Sequence, residues 1–171
     1  NHDRSPLAER VRKYHEWQAE KRKRGQESEK ERKAEERIRL NTEKRRQRKL
    51  ENYWLNLDGL TFESELGDLY RRLGYDVETT PKSGDDGVDL VLKKDGLTTI
   101  VQCKSHQRPV GPAIAREMYG ALHASKADNA ILACTSGFTP GVFSFAKDKP
   151  ISLISAKEIL ALVESATSNS S

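Results

Sequence analysis

Cysteine is scarce in this chain: Cys103 and Cys134 are the only two in 171 residues, each inside a run that reads as a buried strand. Two such thiols exclude a disulfide framework and point to a reducing compartment. Long apolar runs are missing as well. None approaches the ~18–20 residues that a bilayer-spanning helix needs, and no signal-peptide pattern is visible. Helix breakers are nearly absent from the first third, where Leu7 to Leu50 contains no Pro and Gly25 as its one Gly. The chain starts at Asn1 rather than Met, which leaves upstream sequence open, a membrane anchor included.

What is present is charge, unevenly divided. Residues 1–50 hold 18 Lys/Arg against 10 Asp/Glu, a net of +8, and residues 51–171 hold 12 against 16, a net of −4. A basic arm on an acidic domain suits an anionic polymer or an anionic membrane surface. Glu, Lys, Arg, Gln and Ala dominate the arm, so helix is the expected state of residues 1–55. Between Glu20 and Arg37 the only apolar side chain is Ala34, too little for a coiled coil. Pairs such as Glu29 with Lys33, Arg32 with Glu36 and Glu35 with Arg39 are four apart and add ~0.2–0.5 kcal/mol each. Lys44, Arg45, Arg46, Arg48 and Lys49 place five cations in six positions. Three roles stay open for that cluster: a solvated spacer, contact with phosphates, or contact with acidic lipid headgroups.

The remainder reads as one α/β domain over residues 56–165, followed by a polar tail, 166–171, expected to be disordered. Thr61 is the expected N-cap of a first helix, Phe62, Leu66, Leu69 and Leu73 form its buried stripe, and Gly74 ends it. Strands are expected at Tyr75–Thr80, Val88–Lys94, Leu97–Lys104, Ala130–Thr135 and Ile151–Ile154, and further helices at Pro112–Ser125, Val142–Asp148 and Ala156–Val163. The order implies a mixed sheet flanked by helices, an α/β/α sandwich.

Asp95-Gly96 between two β-branched, apolar runs is a strong two-residue hairpin signal. Cross-strand partners then sum to 191, the sum of 95 and 96, which sets Asp89 opposite Gln102. Side chains alternate along a strand, so Lys104 shares the face of Gln102 while Cys103 turns to the other. An acid, an amide and an ammonium on one face form a site for a divalent metal and a phosphate. The plainer alternative is a cross-strand ion pair between Asp89 and Lys104.

Gly84-Asp85-Asp86-Gly87-Val88-Asp89-Leu90, with Gln102-Cys103-Lys104 following, resembles the Mrr-like branch of the PD-(D/E)XK nuclease superfamily, in which Gln commonly replaces the middle acid. Phe62-Glu63, Leu73-Gly74-Tyr75, Val110-Gly111 and Thr135-Ser136-Gly137-Phe138-Thr139 extend the resemblance over most of residues 58–160. It implies a restriction-endonuclease-like sandwich and a Mg²⁺-dependent DNA endonuclease, Mn²⁺ being a substitute, in restriction or another genome-defence setting. It also implies catalytic roles for Asp89 and Lys104 and suggests that Glu63 completes the acidic cluster. Asp89, Glu63, Gln102 and the Cys103 main-chain carbonyl are then the candidate metal ligands, and Lys104 the group that stabilises phosphorane charge or orients water.

Other readings remain beside these. Glu63 is also favoured near a helix start by the helix dipole. Asp85 and Asp86 suit local turn bonds, Ser136 and Thr139 suit phosphate contact, and His123 suits a structural place. His106 and Gln107 follow the catalytic strand and are candidate DNA contacts with Lys44, Arg45, Arg46, Arg48 and Lys49. Nothing reads bases in a recognisable way, so target choice is expected from upstream sequence, a partner protein or DNA structure. A homodimer and a junction-resolving nuclease of the same fold are compatible, as is a non-catalytic DNA-binding or scaffold module. The expected setting is the bacterial or archaeal cytoplasm, with membrane tethering through upstream sequence left open.

Overall fold

The computed structural model describes residues 6–80, 87–105 and 108–168. It divides into two compact units, residues 1–46 and 47–171. The first unit is the greater part of helix α1 (Pro6–Leu55), exposed along almost its whole length. It stays helical without a core because helix formers are continuous and charges pair one turn apart. Glu29–Lys33 closes at 2.7 Å as the spacing predicts, and Glu9–Lys13 and Glu20–Arg24 form alongside at 3.2 and 3.3 Å. In all three the acid precedes the base, the favourable order against the helix dipole. Arg32 with Glu36 and Glu35 with Arg39 are not among the ion pairs formed.

The second unit is a five-stranded sheet in the order β1-β2-β3-β4-β5, with strands at Asp76–Thr79, Leu90–Lys94, Leu97–Lys104, Asn129–Cys134 and Ile151–Ile154. The first three run antiparallel to their neighbours, and β3, β4 and β5 run parallel. Helices α2 (Gly59–Arg72) and α5 (Ala156–Ser168) cover one face, and α3 (Pro112–Ser125) and α4 (Pro140–Ala146) cover the other. Both parallel connections step in one direction across the sheet, which puts their helices on the same side. The expected α/β/α sandwich is the architecture observed.

Alternation along β3 assigns the core. Val101 joins Leu90, Leu92 and Ala133 beneath Phe62, Leu66 and Leu69 of α2. Ile100 joins Ala130 and Ile151 beneath Met118 and Leu122 of α3. Each of these large side chains contributes about 1.5–3 kcal/mol on full burial. Strand β4, next to the central strand β3, is apolar on both faces because both are covered.

Three local expectations change. Helix α2 is capped by Asp58 rather than Thr61: the Asp58 carboxylate accepts from the Thr61 N–H at 2.9 Å and its hydroxyl at 2.8 Å. Both are capping residues, but Asp58 lies three positions ahead and satisfies a first-turn amide that Thr61 cannot. Helix α5 runs on to Ser168, beyond the expected end at Val163, because Ala166 is buried against the α2 side of the core. Of the expected tail, only residues 169–171 remain outside the described residues. The third change is Trp54, which the last turn of α1 delivers into the core at 4% exposure, edge-on to Phe62 with ring centroids 6.0 Å apart. The last turns of α1, which belong to the second unit, are therefore part of that unit's core.

Trp54→Ala should cost about 3–5 kcal/mol of domain stability. Trp17→Ala, at a position 55% exposed, should leave the midpoint unchanged when unfolding is followed by circular dichroism. A chain beginning at residue 47 should unfold as cooperatively as the whole, and one beginning at residue 56 should not.

Candidate active site

Asp95 and Gly96 both take left-handed backbone angles, φ 51° and 79°, the conformation of a two-residue hairpin turn whose twist matches its strands. The register follows as expected, with Lys94 opposite Leu97 and Leu90 opposite Val101. The ladder stops there. Strand β2 begins at Leu90, and the Asp89 N–H donates to the carbonyl of Val101 at 2.8 Å, where an unbroken ladder would turn it away from β3. Asp89 and Leu90 thus both face Val101, the two-against-one arrangement of a β-bulge. Val88 packs in the same cluster as Val91, on a face that strict alternation would deny it. The expectation that Asp89 sits directly opposite Gln102, on its face by alternation, is therefore corrected.

The bulge re-aims Asp89. Its carboxylate accepts from the Cys103 N–H at 2.6 Å, and its carbonyl accepts from the Thr80 N–H at 3.0 Å. Asp89 is tied to β3 through the backbone of Cys103 and to the end of β1 through Thr80. Lys104 enters no ion pair among the described residues, so the cross-strand pair with Asp89 is not formed.

Three charged groups act on the Cys103 thiol. Burial pushes that thiol well above the ordinary cysteine range, the nearby Asp89 and Glu63 carboxylates push it further, and the Lys104 ammonium pulls it back. Glu63 is half-buried on α2. That helix starts at Gly59, so Glu63 lies beyond the first turn and the helix dipole alone gives little reason for an acid there. The Cys103 side chain packs against the α2 side of the core, as alternation from Gln102 predicts.

Gln102 is 3% exposed, and its Oε1 is buried with no hydrogen-bond partner among the described residues. A buried amide oxygen left unpaired costs about 1–3 kcal/mol, so its retention suggests a ligand. The same side chain fills the space that a Cβ at position 87 would need. The φ of Gly87 is +64°, and a Cβ built there would overlap the Gln102 Nε2. In the sequence Gly87 is marked by its place two residues before Asp89 in a Gly-Asp-Asp-Gly run. One residue overlooked in the sequence is Ser105, whose hydroxyl donates to the Leu57 carbonyl at 2.6 Å and fastens the end of β3 to the approach to α2.

The other candidates fall elsewhere. Asp85, Asp86, His106 and Gln107 lie outside the described residues. Lys44, Arg45, Arg46, Arg48 and Lys49 are exposed positions of α1. The Ser136 hydroxyl donates to the Arg108 carbonyl at 2.9 Å, bracing the loop after β3. His123 is an exposed α3 residue packed edge-on against Tyr119. Among the described residues no three His, Cys, Asp or Glu side chains form a metal-holding group, so a metal here would rest on two carboxylates and neutral oxygens.

This mixed five-stranded sheet, covered by helices on both faces, is a restriction-endonuclease-like fold. A family model described as restriction endonuclease, Mrr_cat, matches residues 54–163, and the chain belongs to that family. The Type IV methyl-directed restriction enzyme EcoKMrr of Escherichia coli is 37% identical over 106 residues, 57% of this chain and 34% of that protein. An uncharacterized mitochondrial protein of Schizosaccharomyces pombe is 33% identical over 89 residues, 47% of this chain and 36% of that one. The chain thus spans about a third of the length of the curated relatives it matches. Among solved structures, the DNA modification-dependent restriction endonuclease AspBHI aligns with a TM-score of 0.57 at 17% identity, covering 71% of this chain and 35% of that one. AF1548, a protein of unknown function, aligns at 0.52 and 20% identity, covering 60% and 64%. At such identities these two likenesses establish the fold. No helix among the described residues is long and apolar enough to cross a membrane.

Gly87→Ala and Gly96→Ala test the packing on Gln102. Both substitute a left-handed position, but space around Gly96 is open. Gly96→Ala should cost about 1 kcal/mol from backbone strain, and Gly87→Ala distinctly more because Gln102 must also move. Equal denaturation midpoints for the two variants would show that the Gln102 amide does not need the room left at Gly87.

Proposed function

We propose that this chain is the catalytic portion of a metal-dependent DNA endonuclease, hydrolysing phosphodiester bonds in restriction or genome defence. The Asp89 carboxylate held on the Cys103 amide, with Glu63 and Lys104 acting electrostatically on the same residue, beside a buried Gln102 oxygen that has no partner among the described residues, carries this reading. The restriction-enzyme designation of the Escherichia coli relative supports DNA as the polymer.

The donors suit a hard divalent cation. Mg²⁺ prefers oxygen and keeps several waters, so two carboxylates and a substrate phosphate suffice, and Mn²⁺ takes the same donors. Asp89 and Glu63 would supply the carboxylates, and Gln102 Oε1 and the Cys103 carbonyl the neutral oxygens. When bound, such an ion supplies neutralisation of phosphate charge and a water acidified toward neutral pH. The protein's part is to hold these groups in place. The Cys103 amide holds the Asp89 carboxylate, Gly87 leaves room for the Gln102 amide, and Lys104, in no ion pair among the described residues, offers its ammonium to the charge that develops on phosphate. Cutting both strands needs two such sites, hence a homodimer or a second nick. Target choice is assigned to sequence outside the matched segment or to a partner.

Relaxation of supercoiled plasmid under Mg²⁺ or Mn²⁺ tests the reading. Lys104→Ala should lower cleavage by about 10²–10³-fold while DNA affinity holds, since the loss falls on the chemical step. Asp89→Ala should abolish cleavage, but it also strips the Cys103 N–H of its acceptor at a cost of about 1–3 kcal/mol. Asp89→Asn keeps an acceptor oxygen and separates the two effects. Gln102→Glu should retain or tighten metal binding, and Gln102→Ala should weaken cleavage under limiting Mg²⁺. Wild-type rates in the Asp89 and Lys104 variants would sink the proposed site.

A further inference from the structure

The cations of the arm are not spread evenly around the helix. An α-helix turns about 100° per residue, so residues seven apart return to nearly the same side, drifting about 20°. Lys23, Lys30, Arg37 and Lys44 are spaced by seven, and Arg22 and Lys33 fall into the same sector, roughly 100° wide. The acids between Arg22 and Lys44 are Glu27, Glu29, Glu31, Glu35, Glu36 and Glu43, and none falls in that sector. Its net charge is +6. The rest of the stretch holds Arg24, Arg32 and Arg39 against those six acids, a net of −3.

Ion pairing sharpens the contrast. Along α1 the pairs formed are Glu9–Lys13, Arg12–Glu16, Glu20–Arg24 and Glu29–Lys33. Of the six sector cations only Lys33 is engaged; Arg22, Lys23, Lys30, Arg37 and Lys44 are exposed and in no ion pair among the described residues. The result is an uncompensated cationic face about 33 Å long, at about 1.5 Å per residue.

We infer that this face docks along the phosphate backbone of duplex DNA, without reading bases. The occupant must be an extended polyanion, because the charge runs linearly along the helix, four of its cations recurring every seven residues. A membrane fits poorly, since a helix lying in the interface needs an apolar face to bury and this stretch carries only Ala34, Ile38 and Leu40. A coiled-coil partner lacks a seam for the same reason. The inference also sorts the cations around residues 44–49 that composition alone lumps together. Lys44 lies on the face, whereas Arg46 lies on the far side of the helix.

The choice of DNA rests on the nuclease reading, so the test measures binding apart from cleavage. The full chain is titrated with a duplex oligonucleotide in EDTA, over a salt series. Five phosphate contacts predict a slope of log affinity against log salt near −4.5, a loss of several hundredfold between 50 and 200 mM salt. The decisive variant carries Lys30→Glu with Glu31→Lys, Arg37→Glu with Glu36→Arg, and Lys44→Glu with Glu43→Lys. Its composition and net charge are those of the wild type, but the face is broken. The slope should become shallower by about 2.7, with helicity by circular dichroism unchanged. An unchanged slope would overturn the inference and leave the nuclease intact. So would binding to vesicles of anionic lipid without binding to duplex. A salt-steep, face-dependent affinity in a chain that never cuts DNA would instead sink the nuclease reading and keep this one. Should the swapped helix unfold, alanine at Lys30, Arg37 and Lys44 supplies the same comparison.

Discussion

The turn at Asp95 and Gly96 is the constraint from which the site descends. Two successive left-handed residues leave the chain one way to reverse, and that reversal fixes which residue of β2 faces which residue of β3. A slip of one position would exchange every buried side chain of β3 for its neighbour. Because β3 lies at the centre of the sheet, the same slip would propagate into β4, whose parallel register sets Lys104 beside Cys134. The core and the site share one register and stand or fall together.

Much of this was legible in the sequence, for identifiable reasons. The hairpin carries a two-residue turn signal, the helices carry stripes at helical spacing, and β4 is apolar throughout because both its faces are covered. The candidate site residues were named from the same strings. Their facing was not legible. The bulge at Asp89 depends on the Val101 carbonyl of β3 and on the Thr80 amide at the end of the edge strand β1, contacts that the hairpin's own turn signal does not encode. Trp54 was missed because one aromatic at the end of a charged helix has no periodic companions to mark a buried face. Ala166 was missed because a small side chain in a polar tail gives no signal until α5 is docked on α2.

On the reading proposed, adhesion and chemistry reside in different parts of the sequence and obey different physics. The arm acts through exposed charge, which salt screens over about 8–10 Å at ordinary ionic strength. The site acts through half-buried groups whose hydrogen bonds are largely sheltered from salt, such as the carboxylate of Asp89 on the Cys103 amide. Ionic strength should therefore govern how long the chain stays on a polyanion far more than what happens at the end of β3.

The two tryptophans divide along the same line. Trp17 is exposed on the arm, with the Lys21 ammonium 5.1 Å from its ring centroid, and Trp54 is buried against Phe62. An indole packed in hydrocarbon emits at shorter wavelength than one in water, and it is shielded from quenchers that cannot enter the core. An anionic quencher such as iodide, drawn to the basic arm, would silence the red component of the emission and spare the blue. The chain thus carries two native optical labels, one for events on the helix and one for the integrity of the fold.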